Sequence, residues 1–186
     1  MNSTRSTVVL VVAALAAAAA LLWYANRESP PEQVIDLVAE LPSAEKRSNQ
    51  DAGPAGIVVE QVTIDGATKP SILARPFTRI IYTVTVPPAA WLETSFALKP
   101  EVWDQPGDGA QFRAGIADGP TYDELLRQYV NPKRGDRRWF TARLDLSAYE
   151  GRTVKVILNT DPGPPGSGDR TNDEAVWAAP RIYSQR

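Results

Sequence analysis

Downstream of Gly56, apolar and polar side chains alternate with a period of two, in one short run after another, to the end of the chain. Val58, Val62 and Ile64 alternate with Glu60 and Thr63. Ile80, Tyr82, Val84 and Val86 alternate with Arg79, Thr83 and Thr85, and Leu92, Phe96 and Leu98 with Glu93 and Ser95. The pattern returns as Ala110, Phe112, Ala114 and Ile116 against Gln111 and Arg113, then as Phe140, Ala142, Leu144 and Leu146 against Arg143 and Asp145. Val154, Val156 and Leu158 against Lys155 complete it. This rhythm belongs to strands with one buried and one wet face. Pro87-Pro88, Pro106-Gly107-Asp108-Gly109, Asp118-Gly119-Pro120 and Asp161-Pro162-Gly163 separate the runs with residues that turn or end strands. One segment reads as helix: Thr121 stands as an N-cap, with Asp123 and Glu124 in the first turn of Tyr122–Tyr129, where the helix dipole favours acids. One-faced antiparallel strands bury themselves best against a second sheet. With Ala175–Tyr183 as a last strand, residues 57–186 are expected to form an all-β antiparallel sandwich or jelly roll of about eight strands with one short helix.

The N-terminal pattern is different. Val8 to Ala25 reads VVLVVAALAAAAALLWYA, without a charged side chain. At a rise of about 1.5 Å per residue this matches a hydrocarbon core, with Trp23 and Tyr24 at an interface. Residues 1–25 are expected to be a single transmembrane signal anchor that contacts the membrane through 8–25. A cleaved secretory signal is the competing reading, since Arg5 precedes the run and small residues surround Ala18 and Ala20; Leu21-Leu22-Trp23-Tyr24, still apolar past that point, favours retention. Either way the C-terminal domain is expected outside the cytoplasmic (inner) membrane, in the periplasm or extracellular space. Residues 26–56, with Pro30-Pro31, Pro42, Gly53 and Pro54 among many charges, read as a stalk. Val34, Ile35, Leu37, Val38 and Leu41 suggest a short amphipathic helix over 31–41 within it.

Composition narrows the chemistry. The chain has no Cys and no His, and 20 Lys and Arg stand against 22 Asp and Glu. The charge balance gives no pull on nucleic acid, and the missing residues exclude Ser-His-Asp and Cys-His nucleophiles, along with zinc sites built on His or Cys. Carboxylates and aromatics remain. Trp91, Trp103, Tyr122 and Tyr129 are the candidates for a sugar-stacking platform, and Trp103, in a loop with Glu101, Asp104 and Asp108, is the first of the four. The competing role for Trp103 is that of a loop anchor covering one end of the sandwich. Trp139 and Trp177 are expected to pack into the sandwich. Loop acids such as Glu101, Asp104 and Asp108 could also serve as a glycosidase pair. Asp161, Asp169, Asp173 and Glu174 are oxygen donors of the kind calcium takes; no other cofactor is indicated. Lys133, Arg134, Arg137 and Arg138 form a basic loop, read as solvated or, alternatively, as an anionic headgroup or polysaccharide contact.

Trp139 to Leu158, WFTARLDLSAYEGRTVKVIL, followed after a turn-rich loop by Trp177-Ala178-Ala179-Pro180-Arg181-Ile182, resembles the C-terminal half of galactose-binding-like jelly rolls. Gly107-Asp108-Gly109-Ala110-Gln111-Phe112 resembles a hairpin of the same domains. They include carbohydrate-binding-module-like domains appended to bacterial membrane glycosyltransferases and sulfatases. Over Arg75 to Tyr183 the resemblance implies a jelly roll. The anchor, the stalk and a sandwich without a recognisable active-site set point to a non-catalytic, membrane-anchored binding or assembly module for an envelope glycan, and the resemblance adds an adjacent membrane glycosyltransferase-like enzyme as an equal partner. A carbohydrate-active enzyme with paired loop carboxylates and a self-associating structural envelope protein are the alternatives.

Overall fold

The computed structural model describes residues 32–49 and 53–185; the apolar segment 8–25 and its expected anchor role lie outside them. Among the described residues no helix is long and apolar enough to cross a membrane. Eleven strands and four short 3-10 turns make up the described chain. The strands are β1 (Glu32–Asp36), β2 (Glu45–Ser48), β3 (Val59–Ile64), β4 (Ala67–Leu73), β5 (Thr78–Thr85), β6 (Ala90–Leu98), β7 (Ala110–Asp118), β8 (Thr121–Val130), β9 (Phe140–Asp145), β10 (Thr153–Pro162) and β11 (Ala175–Ser184). One sheet has the order β3-β4-β11-β6-β9, with β1 also on β11; the other runs β2-β5-β10-β7-β8. Every pairing is antiparallel. The expected two-layer sandwich is therefore present.

The inward residues of the alternating runs meet between the sheets. Ile80, Phe112, Leu146, Val156, Leu158, Trp177 and Ile182 are fully buried. Trp177 of β11 lies at the centre: Phe96 packs against it at 5.5 Å and Phe112 edge-on at 5.1 Å between ring centroids. Its indole N–H donates to the Thr160 hydroxyl of β10 at 3.1 Å, so a single side chain both fills the core and ties one sheet to the other. In β11, a bulge between Ala178 and Arg181 resets the register, with Ala179 at φ +45°. Past it the strand changes neighbours, from β4 to β1.

Two expectations are corrected. Thr121–Val130 is not a helix but β8, an edge strand paired with β7 across a two-residue loop in which Gly119 takes φ +57°. A bulge between Ala114 and Gly115 leaves Leu125 as an extra residue. Leu125 and Leu126 consequently both reach the core, which breaks the period of two and mimics helical spacing. Thr121, Asp123 and Glu124, which resemble an N-cap and first turn, are exposed residues of an edge strand, where charge discourages pairing with other chains. The second correction concerns the stalk. Glu32 to Ser48 belongs to the sandwich, β1 on one sheet and β2 on the other. The expected amphipathic helix is instead a strand followed by a turn, closed by Glu40 N–H to Asp36 O and Leu41 N–H to Val38 O. Leu37 and Leu41 are buried because that turn wraps from layer to layer over the core, and burial is what their spacing serves. Seven of the eleven strands coincide with the alternating runs, and β1, β2, β4 and β8 are the other four.

Trp177→Ala removes the central ring and orphans the Thr160 hydroxyl. A loss of roughly 3–5 kcal/mol is expected from chemical denaturation, against a small loss for Trp139→Ala, whose ring is only half-buried.

Candidate functional site

The antiparallel register sets residues in rows across the outer face of the five-stranded sheet. Arg79, Asn159, Arg113 and Arg127 form one row; Ile81, Ile157, Gly115 and Glu124 the next; Thr83, Lys155, Ala117 and Tyr122 a third. The ring of Tyr122, 44% exposed, leans back over Gly115: a Cβ on that glycine would lie 2.7 Å from the Tyr122 hydroxyl and 2.8 Å from its ring. Glycine is thus what allows the ring to lie down on the sheet. The result is a depression of about 420 Å³ lined by Arg79, Arg113, Ala117, Tyr122, Ile157 and Asn159.

Polar groups around this ring are ordered by one another. Arg79 Nε donates to Asn159 Oδ1 at 3.1 Å, and Asn159 Nδ2 donates to Asp161 Oδ2 at 2.8 Å. Arg113 sits between Asp161 at 2.9 Å and Glu124 at 3.5 Å, while Arg127 grips Glu124 through both its oxygens. The Arg113 Nε–H lies within ion-pair distance of Asp161 yet is not aimed at it, so this buried donor has no hydrogen-bond acceptor. Burial holds the Tyr122 hydroxyl above its ordinary pKa, with Glu124 adding to the shift and Arg113, Arg79 and Arg127 opposing it. The face therefore offers a neutral aromatic surface, a floor of Ile157 and Ala117, and flanking guanidinium, amide and carboxylate groups. That is the chemistry which stacks on the C–H side of a sugar ring and hydrogen-bonds its hydroxyls.

Of the residues expected from the sequence, Tyr122 lines this depression, Asp161, expected as a calcium ligand, belongs to its polar frame, and the others lie elsewhere. Trp103 is the loop anchor: its indole N–H donates to Leu98 O at 2.8 Å, it packs against the core, and Arg137 lies over its ring. The crevice beside it holds about 10 Å³, far below the roughly 300–1,000 Å³ of small-molecule sites. Glu101 is exposed on a 3-10 turn, and Asp104 pairs with Arg137 at 2.5 Å. Asp108 accepts from Ser167 Oγ at 2.6 Å. These three acids do not line the depression. Trp91 is buried against Tyr183 and Arg143, and the Tyr129 hydroxyl is spent on Asp108 O. Trp177 is core; Trp139 is half-buried and donates to Ala67 O. Arg79, Arg113 and Asn159 were missed because they look like ordinary wet positions until the register aligns them.

The calcium set does not assemble. Among the described residues no three acidic side chains are grouped to hold a metal ion. Asp161 ends β10 on one sheet, tied to Arg113, while Glu174 precedes β11 on the other, forked by Arg75 at 2.6 and 2.7 Å. Asp169 instead accepts from Thr171 N–H. Asp173 is 3% exposed beside Asp108, and one carboxylate oxygen of each is buried without a hydrogen-bond partner. Burial, then the charges of Asp108 and Asp169, push the Asp173 carboxyl up to about 8, against a Gly109 N–H that favours the charged form.

No family model matches the chain. An uncharacterized protein of Archaeoglobus fulgidus is 39% identical over 102 residues, 53% of this chain, and the match spans a quarter (25%) of that protein's length. Among solved structures, the CBM51-2 and INT domains of Clostridium perfringens ZmpB superpose with a TM-score of 0.51 at 12% identity, over 86% of this chain and 30% of that one. A CBM51 from Clostridium perfringens GH95, in complex with methyl-galactose, gives 0.49 at 10% identity, over 85% and 94%. The chain thus shares an antiparallel two-sheet β-sandwich fold with the CBM51-2 and INT domains of ZmpB, in keeping with the jelly roll its sequence resemblance implied.

Asp173 supplies a test of the loop electrostatics. Unfolded, it ionises near 3.8; folded, it keeps its proton to about 8. Folding therefore takes up a proton between those values, and the contribution of Asp173 to stability falls as pH rises from about 4 to 8. Asp173→Asn is expected to raise the melting temperature at pH 8, to leave it unchanged near pH 4, and to flatten the slope between.

Proposed function

We propose that the chain is a non-catalytic glycan-binding module and that the Tyr122 face of its five-stranded sheet is the binding surface. One observation carries the reading: the exposed ring of Tyr122 lies over Gly115 beside a depression, inside a polar frame of Arg79, Asn159, Asp161, Arg113 and Glu124. A frame already in place spares the ligand the cost of ordering these side chains. The fold shared with carbohydrate-binding modules is in keeping with this reading. Catalysis is disfavoured by the state of the acids. Asp161 and Glu124 are both committed to Arg113, and Glu101, Asp104 and Asp108 stand apart from the aromatic face.

In this proposal the apolar segment 8–25 holds the module at the outer surface of a cytoplasmic membrane, within reach of envelope polysaccharide or of a glycosyltransferase-like neighbour. The glycan is the primary ligand, because the sheet face supplies a site for it.

A glycan array probed with the full-length chain in detergent is expected to retain a defined saccharide class. Tyr122→Ala should weaken retention at least tenfold without lowering the melting temperature by more than a degree or two, and Gly115→Val, which lifts the ring, should weaken it comparably. Equal retention by the wild type and both variants would refute the assignment of this face.

A further inference from the structure

Where β2 ends, its neighbour continues. β2 pairs with β5 from Glu45 opposite Ile81 to Ser48 opposite Thr78, but β5 runs on to Thr85. Backbone groups along an antiparallel strand point alternately to its two sides. Phe77 O accepts from Asn49 N–H on the β2 side, Val86 N–H donates to Arg152 O on the β10 side, and the register with β10 is unbroken from Thr78 to Thr85. The odd-numbered residues of β5 therefore face β2. It follows that the N–H and C=O of Thr83 and Thr85 face an edge that β2 has already left, and no strand among the described residues covers it.

Beside this edge is a cleft of about 560 Å³. The chain departs at Ala44 into a turn whose shape is fixed by the Lys46 ammonium, which donates to Leu41 O at 2.7 Å and Ala44 O at 3.0 Å. The space between turn and strand is walled by Ile35, Leu37, Tyr82 and Val84. The hydroxyl of Tyr82, a residue 2% exposed, is buried there without a hydrogen-bond partner. The charged residues lining the cleft are Glu40 and Glu45. Glu45 shares Arg47, whereas Glu40 accepts from the Ser43 hydroxyl and makes no ion pair among the described residues.

These features describe what would fill the cleft. Four backbone groups in a row, spaced at the strand rise of about 3.4 Å per residue, are matched by another polypeptide backbone. A strand laid along Thr83–Thr85 places alternate side chains opposite Tyr82 and Val84, inside the apolar cleft, with one next to the unsatisfied hydroxyl. We propose that the open edge of β5 docks an extended peptide from another protein, apolar at the two inward positions and basic beside Glu40. This site is on the edge of the sheet and is independent of the Tyr122 face.

The test uses the full-length chain in detergent with an acetylated, amidated probe peptide of alternating Thr and Val flanked by Lys. Hydrogen exchange is expected to show the Thr83 and Thr85 amides unprotected in the free chain and protected when the probe binds. A probe N-methylated at alternate amides should bind at least tenfold more weakly. Thr83→Pro, which removes a donor pointing away from β10, should do the same, and Glu40→Lys should weaken the Lys-flanked probe several-fold while sparing an uncharged one. Amides already protected in the free chain, protection confined to another surface, or equal affinity for the methylated probe would each overturn the proposal. So would self-association abolished by Thr83→Pro, or displacement of the probe by a saccharide. The methylated probe decides the matter even where Thr83→Pro does not fold.

Discussion

The contact of Trp177 with both sheets is the constraint on which the other features depend. Its ring closes the aromatic cluster with Phe96 and Phe112, and its N–H reaches Thr160 across the core. Burying those faces fixes which side of every strand looks outward, because a slip of one residue would turn each inward side chain into water. The outer face of the five-stranded sheet is thus not free to vary: once Phe112, Val156 and Leu158 point in, Arg113, Ile157 and Asn159 must point out, and β5 and β8 bring Arg79 and Tyr122 alongside them. The side-chain chemistry of that face is a by-product of core packing, refined by the absence of a side chain at Gly115.

Much of this architecture is readable in the sequence, because the two-residue period is a direct record of one-sided burial. Where the record fails, a local device has broken the period. The β8 bulge brings Leu125 and Leu126 to the core side by side, and acids on an edge strand imitate a helix start. In the turn after β1, Leu37 and Leu41 are spaced like a helical face because they cap the core from a wrapped loop. The site was legible only in part. Tyr122 stands out as an aromatic among acids, but its partners Arg79, Arg113 and Asn159 come from three strands whose alignment no local pattern encodes. Of the polar neighbours of Trp103, Asp104 pairs with the Arg137 that lies over the indole ring, and the indole N–H is bound to Leu98 O, so the side chain is an anchor.

The same physics separates the two surfaces of the molecule. On the sheet face, polar side chains already bind one another and leave an exposed ring and one buried donor for a ligand. At the β5 edge the uncovered groups are the backbone N–H and C=O of Thr83 and Thr85, beside the unpartnered Tyr82 hydroxyl. Side-chain frames suit a ligand rich in hydroxyls; backbone edges suit a peptide.

Chemical-shift mapping of the full-length chain, titrated with saccharides released from its own cell envelope, addresses the central claim most directly. Glycan binding on the Tyr122 face would give saturable shifts clustered at Arg79, Arg113, Gly115, Tyr122 and Asn159. Shifts clustered around Trp103 and Asp104 instead, or none at any saccharide concentration, would contradict it.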